Sequence, residues 1–134
     1  MTAPAARPLR FLLVGAWNTA FGYLAFVGFV AATRALGVSY LYATLPAQIV
    51  AILNAYLCHR YITFPDGEGG LWAFLRFNAV YWVLFVVNVG LLAALVDGLG
   101  WLPEVAQALL TVLTVVVSYG AHRRFSFRVG GRAR

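Results

Sequence analysis

Four arginines lie where apolar segments of this chain begin or end. Arg10 and Arg76 each stand in a Leu-Arg-Phe triplet before a long apolar run, and Arg60 and Arg123 each follow such a run. A guanidinium binds a phosphate through two parallel hydrogen bonds, which the ammonium of lysine cannot reproduce. The four residues are therefore candidate ligands for a phosphate or lipid headgroup. The alternative is that they only orient the apolar segments in a membrane and contact anionic lipids.

Groups suited to catalysis or metal binding are scarce. The chain has a single cysteine, Cys58, and two histidines, His59 and His122, each directly before an arginine. At such a position we expect a histidine to anchor at the membrane surface rather than to bind a metal or relay protons. The sequence presents no acid pair, nucleophile with a base, or metal-ligand cluster. We therefore predict a protein that is not an enzyme and that uses no metal and no cofactor.

Polar side chains form a stripe along the last apolar segment, at spacings of four, three and four residues, which place them on one helix face. An offset of 63 residues brings small or polar residues of the second apolar segment to the same positions. Such faces usually pack against other helices, and the alternative is a groove that lines a substrate path. The predicted polar helix faces consist of Thr44, Gln48 and Asn54 in the second segment and Gln107, Thr111, Thr114 and Ser118 in the fourth.

Long apolar helices must position these groups. Hydrophobic residues make up 63% of the chain and charged residues 10%, whereas soluble domains carry about 25% charged residues. A bilayer core about 30 Å thick requires roughly 20 apolar residues per helix. Four segments meet this requirement, at about 11–33, 41–58, 71–96 and 102–121. The sequence predicts an all-α polytopic membrane protein with four transmembrane helices in a single domain over residues 1–134.

The distribution of arginine predicts the orientation. All ten basic residues are arginine, and Arg34 alone falls on the opposite side of the predicted spans from the rest. The positive-inside rule then puts both termini and the middle loop in the cytoplasm.

The formal net charge of +6 would also be typical of a nucleic-acid-binding protein, but the chain has no segment long enough for a soluble domain with clustered base-contacting groups. We expect no nucleic-acid partner.

The chain contains an internal repeat. The sequence His59-Arg60-Tyr61-Ile62-Thr63-Phe64 ends the first half, and His122-Arg123-Arg124-Phe125-Ser126-Phe127 ends the second half 63 residues later. Each half contains two spans, so both halves cross the membrane in the same direction. The sequence predicts two parallel two-helix repeats related by an axis along the membrane normal.

These features resemble the GtrA-like family of small bacterial membrane proteins over nearly the whole chain, from Leu9 to Phe127. In that family, helices two and four each run into an Asn-Arg/Lys-x-Trp-x-Phe type ending. Here Arg60 with Phe64 and Arg123 with Phe127 fit this pattern. Histidines replace the asparagine, and Ile62 and Phe125 replace the tryptophan.

The resemblance implies a role in cell-surface polysaccharide synthesis in the bacterial cytoplasmic membrane, as a flippase for a sugar carried on a polyprenyl phosphate such as undecaprenyl phosphate. The alternative is a non-transporting anchor or regulatory subunit of a membrane glycosyltransferase. The expected partners are the polyprenyl-phosphate sugar, anionic membrane lipids, a membrane glycosyltransferase and a second copy of the chain in a homodimer. A proton-coupled pump is disfavoured, because no ionisable residue lies near the centre of a predicted span.

Overall fold

The computed structural model describes the backbone of residues 6–63 and 71–129. Side chains are described over 9–62 and 72–120, with the exception of residues 11, 73, 74, 77 and 118. The described chain is helical, with α1 at Ala6–Ala35, α2 at Leu41–Cys58, α3 at Leu71–Ala93 and α4 at Pro103–Val129. A π-helical turn at His59–Thr63 continues α2, and another at Ala94–Gly98 continues α3. The prediction of an all-α protein with four helices is confirmed.

The helices match the predicted spans and extend beyond some of them. The first helix begins at Ala6, before the apolar run, and has Pro8 in its first turn, where the missing N–H costs no intrahelical hydrogen bond. The fourth helix continues to Val129, well past the predicted end of its span. Hydropathy locates the edge of the hydrocarbon layer, whereas arginine is a good helix former and lets the helix continue into the polar region.

Three helical segments are long and apolar enough to cross a membrane: Leu12–Ala35, Leu41–Ile62 and Asn78–Gly98. Within the described residues, α4 contributes a shorter apolar segment, Pro103–Val117. Many large apolar side chains of all four helices are exposed on the outside of the protein. Such a surface is suited to contact with lipid rather than with water.

Each helix contacts two neighbours, in the cyclic order α1, α2, α3, α4 and back to α1. We call α1 with α2 the N-terminal unit, and α3 with α4 the C-terminal unit. The turn within each unit lies at one end of the bundle, which we call the turn end. The opposite end carries Arg10, Arg60 and Arg76, and we call it the arginine end.

A left-handed glycine forms each turn. Gly37 follows α1 with φ +67°, and Gly100 follows the third helix and its π-helical turn with φ +73°. Glycine adopts this conformation without the steric cost that a Cβ would impose. The next residue closes each turn: Val38 N donates to Thr33 O at 3.0 Å, and Trp101 N donates to Leu95 O at 3.1 Å. Both units therefore reverse the chain in a similar way.

The apolar core lies near the turn end. All four helices contribute to it, and its members are the buried residues Phe26, Val30, Ala43, Ala47, Leu92, Ala106 and Leu110. Three of these are alanines, which permit close approach of the helices. We call this group the dry cluster. It seals the space between the four helices on the side of the turns.

Candidate functional site

A cavity of about 250 Å³ lies between the four helices, next to the dry cluster. Every helix contributes polar side chains to its wall, and Gly22 and Ala51 leave space where α1 meets α2. The polar and aromatic residues of the wall are Asn18, Thr19, Tyr23, Thr44, Gln48, Tyr81, Asn88, Gln107, Thr111 and Thr114. None of the described residues that line it is acidic, basic or a histidine. The described wall is therefore uncharged, and its polar groups are set among apolar side chains such as Phe26, Leu84 and Phe85.

The two predicted polar helix faces meet at this cavity. Thr44 and Gln48 reach it from α2, and Gln107, Thr111 and Thr114 reach it from α4. Asn54 lies beyond the cavity wall, on the side of the arginine end. Ser118 belongs to the described helix, but its side chain lies outside the described residues. The faces thus line a cavity, and Asn54 and Gln107 also form interhelical hydrogen bonds.

Amide pairs connect the helices within each unit. Asn54 Nδ2 donates to Asn18 Oδ1 at 2.7 Å, which joins α2 to α1. Asn88 Nδ2 donates to Gln107 Oε1 at 3.0 Å, which joins α3 to α4. Interhelical amide bonds contribute about 0.6–2 kcal/mol in membrane proteins. These pairs give each unit an internal polar contact at the level of the cavity.

The hydroxyl groups of the wall keep capacity for further hydrogen bonds. Thr44 Oγ1 donates to its own helix at Leu41 O, at 2.7 Å, and Thr114 Oγ1 donates to Leu110 O at 2.8 Å. A hydroxyl that donates one bond retains lone pairs that accept others. With the amides of Gln48 and Gln107, these groups form the kind of uncharged donor and acceptor set that suits a ligand rich in hydroxyl groups.

The cavity opens towards the arginine end. Tyr81 and Val115 line it from α3 and α4, yet 38% of Tyr81 and 50% of Val115 is exposed. On the opposite side, Phe26 and Ala47 belong both to the cavity wall and to the dry cluster. A ligand therefore has access from the arginine end and meets a closed apolar layer at the turn end.

Polar contacts at the turn end join one unit to the other. Arg34 at the end of α1 forms a two-pronged ion pair with Glu104 at the start of α4, with Nη2 to Oε2 at 2.9 Å. Tyr23 donates its hydroxyl to the backbone oxygen of Glu104 at 3.1 Å. Before α2, Tyr40 donates to Asp97 Oδ2 at 3.1 Å. Burial, with this bond and the nearby negative charge, raises the pKa of Tyr40 to about 12, so Tyr40 remains a donor at neutral pH.

The predicted phosphate ligands lie at the arginine end, apart from the cavity wall. Arg10, Arg60 and Arg76 are all exposed, and Arg60 Nη1 donates to Tyr56 Oη at 3.5 Å. The side chain of Arg123 lies outside the described residues, although its helix does not. Exposed guanidinium groups near the level of lipid headgroups are available to an anionic ligand.

Several residues of the site escaped the sequence analysis. The regular spacing of polar residues identified the faces of α2 and α4 but not Tyr23 of α1 or Tyr81 of α3, because isolated tyrosines in apolar runs carry no periodic signal. The two turns have a signal in the sequence: Leu36-Gly37 and Leu99-Gly100 are separated by the same 63 residues as the ends of the repeats. Among the described residues, no group of three or more His, Cys, Asp or Glu residues is placed to hold a metal ion.

A family model described as GtrA/DPMS, transmembrane domain, matches residues 10–127, which include all four helices. No curated protein and no solved structure matches the chain. With the apolar helices, the match identifies a multi-pass membrane protein. It also indicates involvement in the synthesis of lipid-linked sugars or polysaccharides.

Proposed function

We propose that this chain, which belongs to the GtrA/DPMS family of transmembrane domains, moves a polyprenyl-phosphate-linked sugar across the bacterial cytoplasmic membrane for cell-surface polysaccharide synthesis. The observation that carries the proposal is an uncharged cavity between four apolar helices, with polar side chains from every helix in its wall, closed at the turn end and accessible from the arginine end. A sugar needs hydrogen-bond partners to cross the hydrocarbon layer, because desolvating each hydroxyl without a partner costs several kcal/mol.

The arginine end faces the cytoplasm in this proposal. Nine of the ten arginines belong to the termini, the middle loop and the adjoining helix ends, and Arg34 alone belongs to the turn end. The positive-inside rule supports this orientation. Substrate made in the cytoplasm then reaches the open side of the cavity directly.

Each part of the substrate has a complementary part of the protein. The phosphate binds arginines at the cytoplasmic rim, namely the exposed Arg10, Arg60 and Arg76 together with Arg123. The sugar enters the cavity between Gln48 and Gln107, and the prenyl chain stays on the lipid side. The cavity volume is below the roughly 300–1,000 Å³ of sites for drug-sized ligands, so we expect a small sugar headgroup rather than a long oligosaccharide.

The two units form parallel repeats in our proposal, and three observations support this. The left-handed glycines Gly37 and Gly100 are 63 residues apart. The cyclic helix order is the one that a two-fold axis through the centre of the bundle requires. Such an axis also relates the ion pair between α1 and α4 to the hydrogen bond between Tyr40 and Asp97, since Arg34 corresponds to Asp97 at the same offset.

The relation between the units provides a route for the sugar. Each unit keeps its own amide pair, while the units separate from each other at the turn end and close at the arginine end. Movement of paired repeats around a central site is a common means of alternating access. A homodimer of the chain provides further helix surface for the lipid chain, and no enzymatic step is required.

Reconstitution into liposomes tests the proposal. The lipid-linked sugar is placed in both leaflets, and an impermeant reagent that oxidises sugars measures how fast the inner pool becomes accessible. We expect faster loss with the protein than with empty liposomes. Thr111→Leu should abolish most of the gain, because the larger side chain fills the cavity and removes a hydroxyl, whereas Val112→Leu on the exposed face of α4 should not.

Equal rates with protein and with empty liposomes would contradict translocation. They would favour the alternative, an anchor or regulatory subunit of a membrane glycosyltransferase. In that case co-purification with such an enzyme should persist in the Thr111→Leu variant. Equal activity of the Thr111→Leu and Val112→Leu variants would instead remove the cavity from the pathway.

A further inference from the structure

A second groove, of about 350 Å³, lies between α2 and α3. Its wall is apolar except for the amide of Asn78 and the indole N–H of Trp82, and it consists of Ile49, Ile52, Leu53, Leu75, Asn78, Ala79 and Trp82. We call it the α2–α3 groove. It shares no residue with the wall of the central cavity.

The groove and the cavity lie on opposite sides of the same helix contact. In α2, Gln48 and Ala51 face the cavity, while the adjacent Ile49 and Ile52 face the groove. In α3, Tyr81 faces the cavity and Trp82 faces the groove. This contact also separates the N-terminal unit from the C-terminal unit. One boundary in the bundle thus has an uncharged polar side and an apolar side.

A basic residue stands at the mouth of the groove. Arg76 directly follows Leu75 of the groove wall, and it is exposed. It lies 24 residues before the turn glycine Gly100, whereas Arg10 lies 27 residues before Gly37. At about 1.5 Å per helical residue, Arg76 is one turn nearer the membrane interior than Arg10. A phosphate bound to Arg76 would lie close to Leu75, at the arginine end of the groove wall.

The amide of the groove has an unused acceptor. Asn78 Oδ1 is buried and has no hydrogen-bond partner among the described residues. A buried polar atom without a partner is unfavourable, and Asn78 places this polar group in the otherwise largely apolar groove wall.

We infer that the α2–α3 groove binds the isoprenoid chain of the lipid-linked substrate, with the phosphate at Arg76 and the sugar passing between α2 and α3 into the cavity. The inference rests on the proposed function for the identity of the lipid. Along this boundary the protein presents an arginine, an apolar groove on the outside and polar side chains of the cavity on the inside. A prenyl-phosphate sugar consists of a phosphate, an apolar chain and a polar sugar, so each of its parts has a matching surface. The contact between α2 and α3 is then the lateral entrance.

Photocrosslinking of the full chain in nanodiscs tests the inference. A photoreactive amino acid replaces Leu53 in the groove or, as a control, Val80, which lies at a similar depth on α3 but outside the groove wall. The two positions are comparably exposed, at 54% and 60%. The probe is geranylgeranyl phosphate, which carries no sugar. We expect crosslinks at Leu53 that excess unlabelled probe removes and excess phosphatidylglycerol does not.

A filling variant provides the second measurement. Ala79→Phe should weaken binding of geranylgeranyl phosphate by roughly ten-fold, about 1.4 kcal/mol, because the phenyl ring occupies space in the groove, while Val80→Phe should leave binding unchanged. Equal crosslinking at Leu53 and Val80, or equal competition by phosphatidylglycerol, would show ordinary lipid in the groove and overturn the inference. Binding needs no transport, so inactive proteoliposomes with intact crosslinking would refute the proposed function and leave the groove assignment standing.

Discussion

The two ends of the bundle differ in how the helices meet. At the turn end, all four helices pack into the dry cluster, and the Arg34–Glu104 and Tyr40–Asp97 contacts bridge the two units. At the arginine end, the described basic side chains are exposed, and cavity-lining residues such as Val115 remain partly uncovered. The turn end therefore holds the helices together, and the arginine end leaves the cavity accessible.

This difference has a mechanical meaning. Side-chain bonds within a unit, such as Asn18 with Asn54, lie near the cavity, whereas the described ion pair between units lies at the turn end. Separation of the units at that end must break the ion pair and expose the dry cluster. In the function that we propose, this barrier keeps the pathway closed on one side while the other side admits substrate.

Cysteine labelling should separate the two ends most sharply, because its outcome is all or none. With Cys58 replaced by alanine, a cysteine at Ser39 of the turn end should react with an impermeant maleimide added outside intact cells. A cysteine at Gly67 of the middle loop should react only after the membrane is opened. Labelling of Gly67 from outside would invert the orientation that we propose.

Leu92→Ala should destabilise the turn end by about 2 kcal/mol or more, because it leaves a void among the four helices. Leu92 is completely buried, while its neighbour Leu91 is 51% exposed. Leu91→Ala is therefore the matched control, and we expect a much smaller change. Unfolding in detergent, followed by circular dichroism, measures both. Equal losses would mean that the dry cluster does not hold the helices together.

Lysine at Arg60 and Arg76 should weaken binding of a prenyl-phosphate sugar by about ten-fold, with no change in unfolding. Hydrogen bonds to charged groups contribute roughly 1.5–3 kcal/mol, and lysine retains the charge but loses the planar pair of donors. Changing Arg132 and Arg134 to lysine is the control, and it should have no effect. Unaltered binding by the Arg60→Lys, Arg76→Lys variant would make these arginines orientation signals only.

Glu104→Gln should reduce stability by about 1 kcal/mol, as expected for a partly exposed ion pair. The loss should shrink as salt increases, because ions screen the wild-type pair. Unfolding at low and high salt measures the difference between the variant and the parent. A loss that does not depend on salt would assign the effect to packing of Glu104 rather than to its charge.

Tyr40→Phe should have the smallest effect, at the lower end of the about 0.5–1.5 kcal/mol that one hydrogen bond contributes. A raised pKa means that the folded protein holds the Tyr40 proton more tightly than the unfolded chain does. This contribution is therefore fully present below pH 10 and is lost as the pH rises towards about 12. Unfolding at pH 7 and at pH 11 should show a larger difference between the parent and the variant at pH 7.

The sequence predicted the helices better than it predicted the site. Continuous apolar runs predicted the four helices, and the spacing of Gln107, Thr111 and Thr114 predicted that these residues share one face of α4. That face meets Thr44 and Gln48 across a cavity, and no periodicity along one helix measures the distance between two helices. The ion pair joins Arg34 and Glu104, which are 70 positions apart in the sequence. The arginine count predicted the side of the membrane for Arg34 but did not indicate its partner.

The uncharged wall of the cavity has an electrical consequence. The described lining supplies no countercharge, so a phosphodiester that crosses alongside it carries its own negative charge through the field. In a cell whose interior is negative, outward movement of one such charge is favoured by about 2.3 kcal/mol per 100 mV. Under the proposed function, the membrane potential therefore drives export of an anionic lipid-linked sugar, and a de-energised membrane would let it equilibrate between the leaflets.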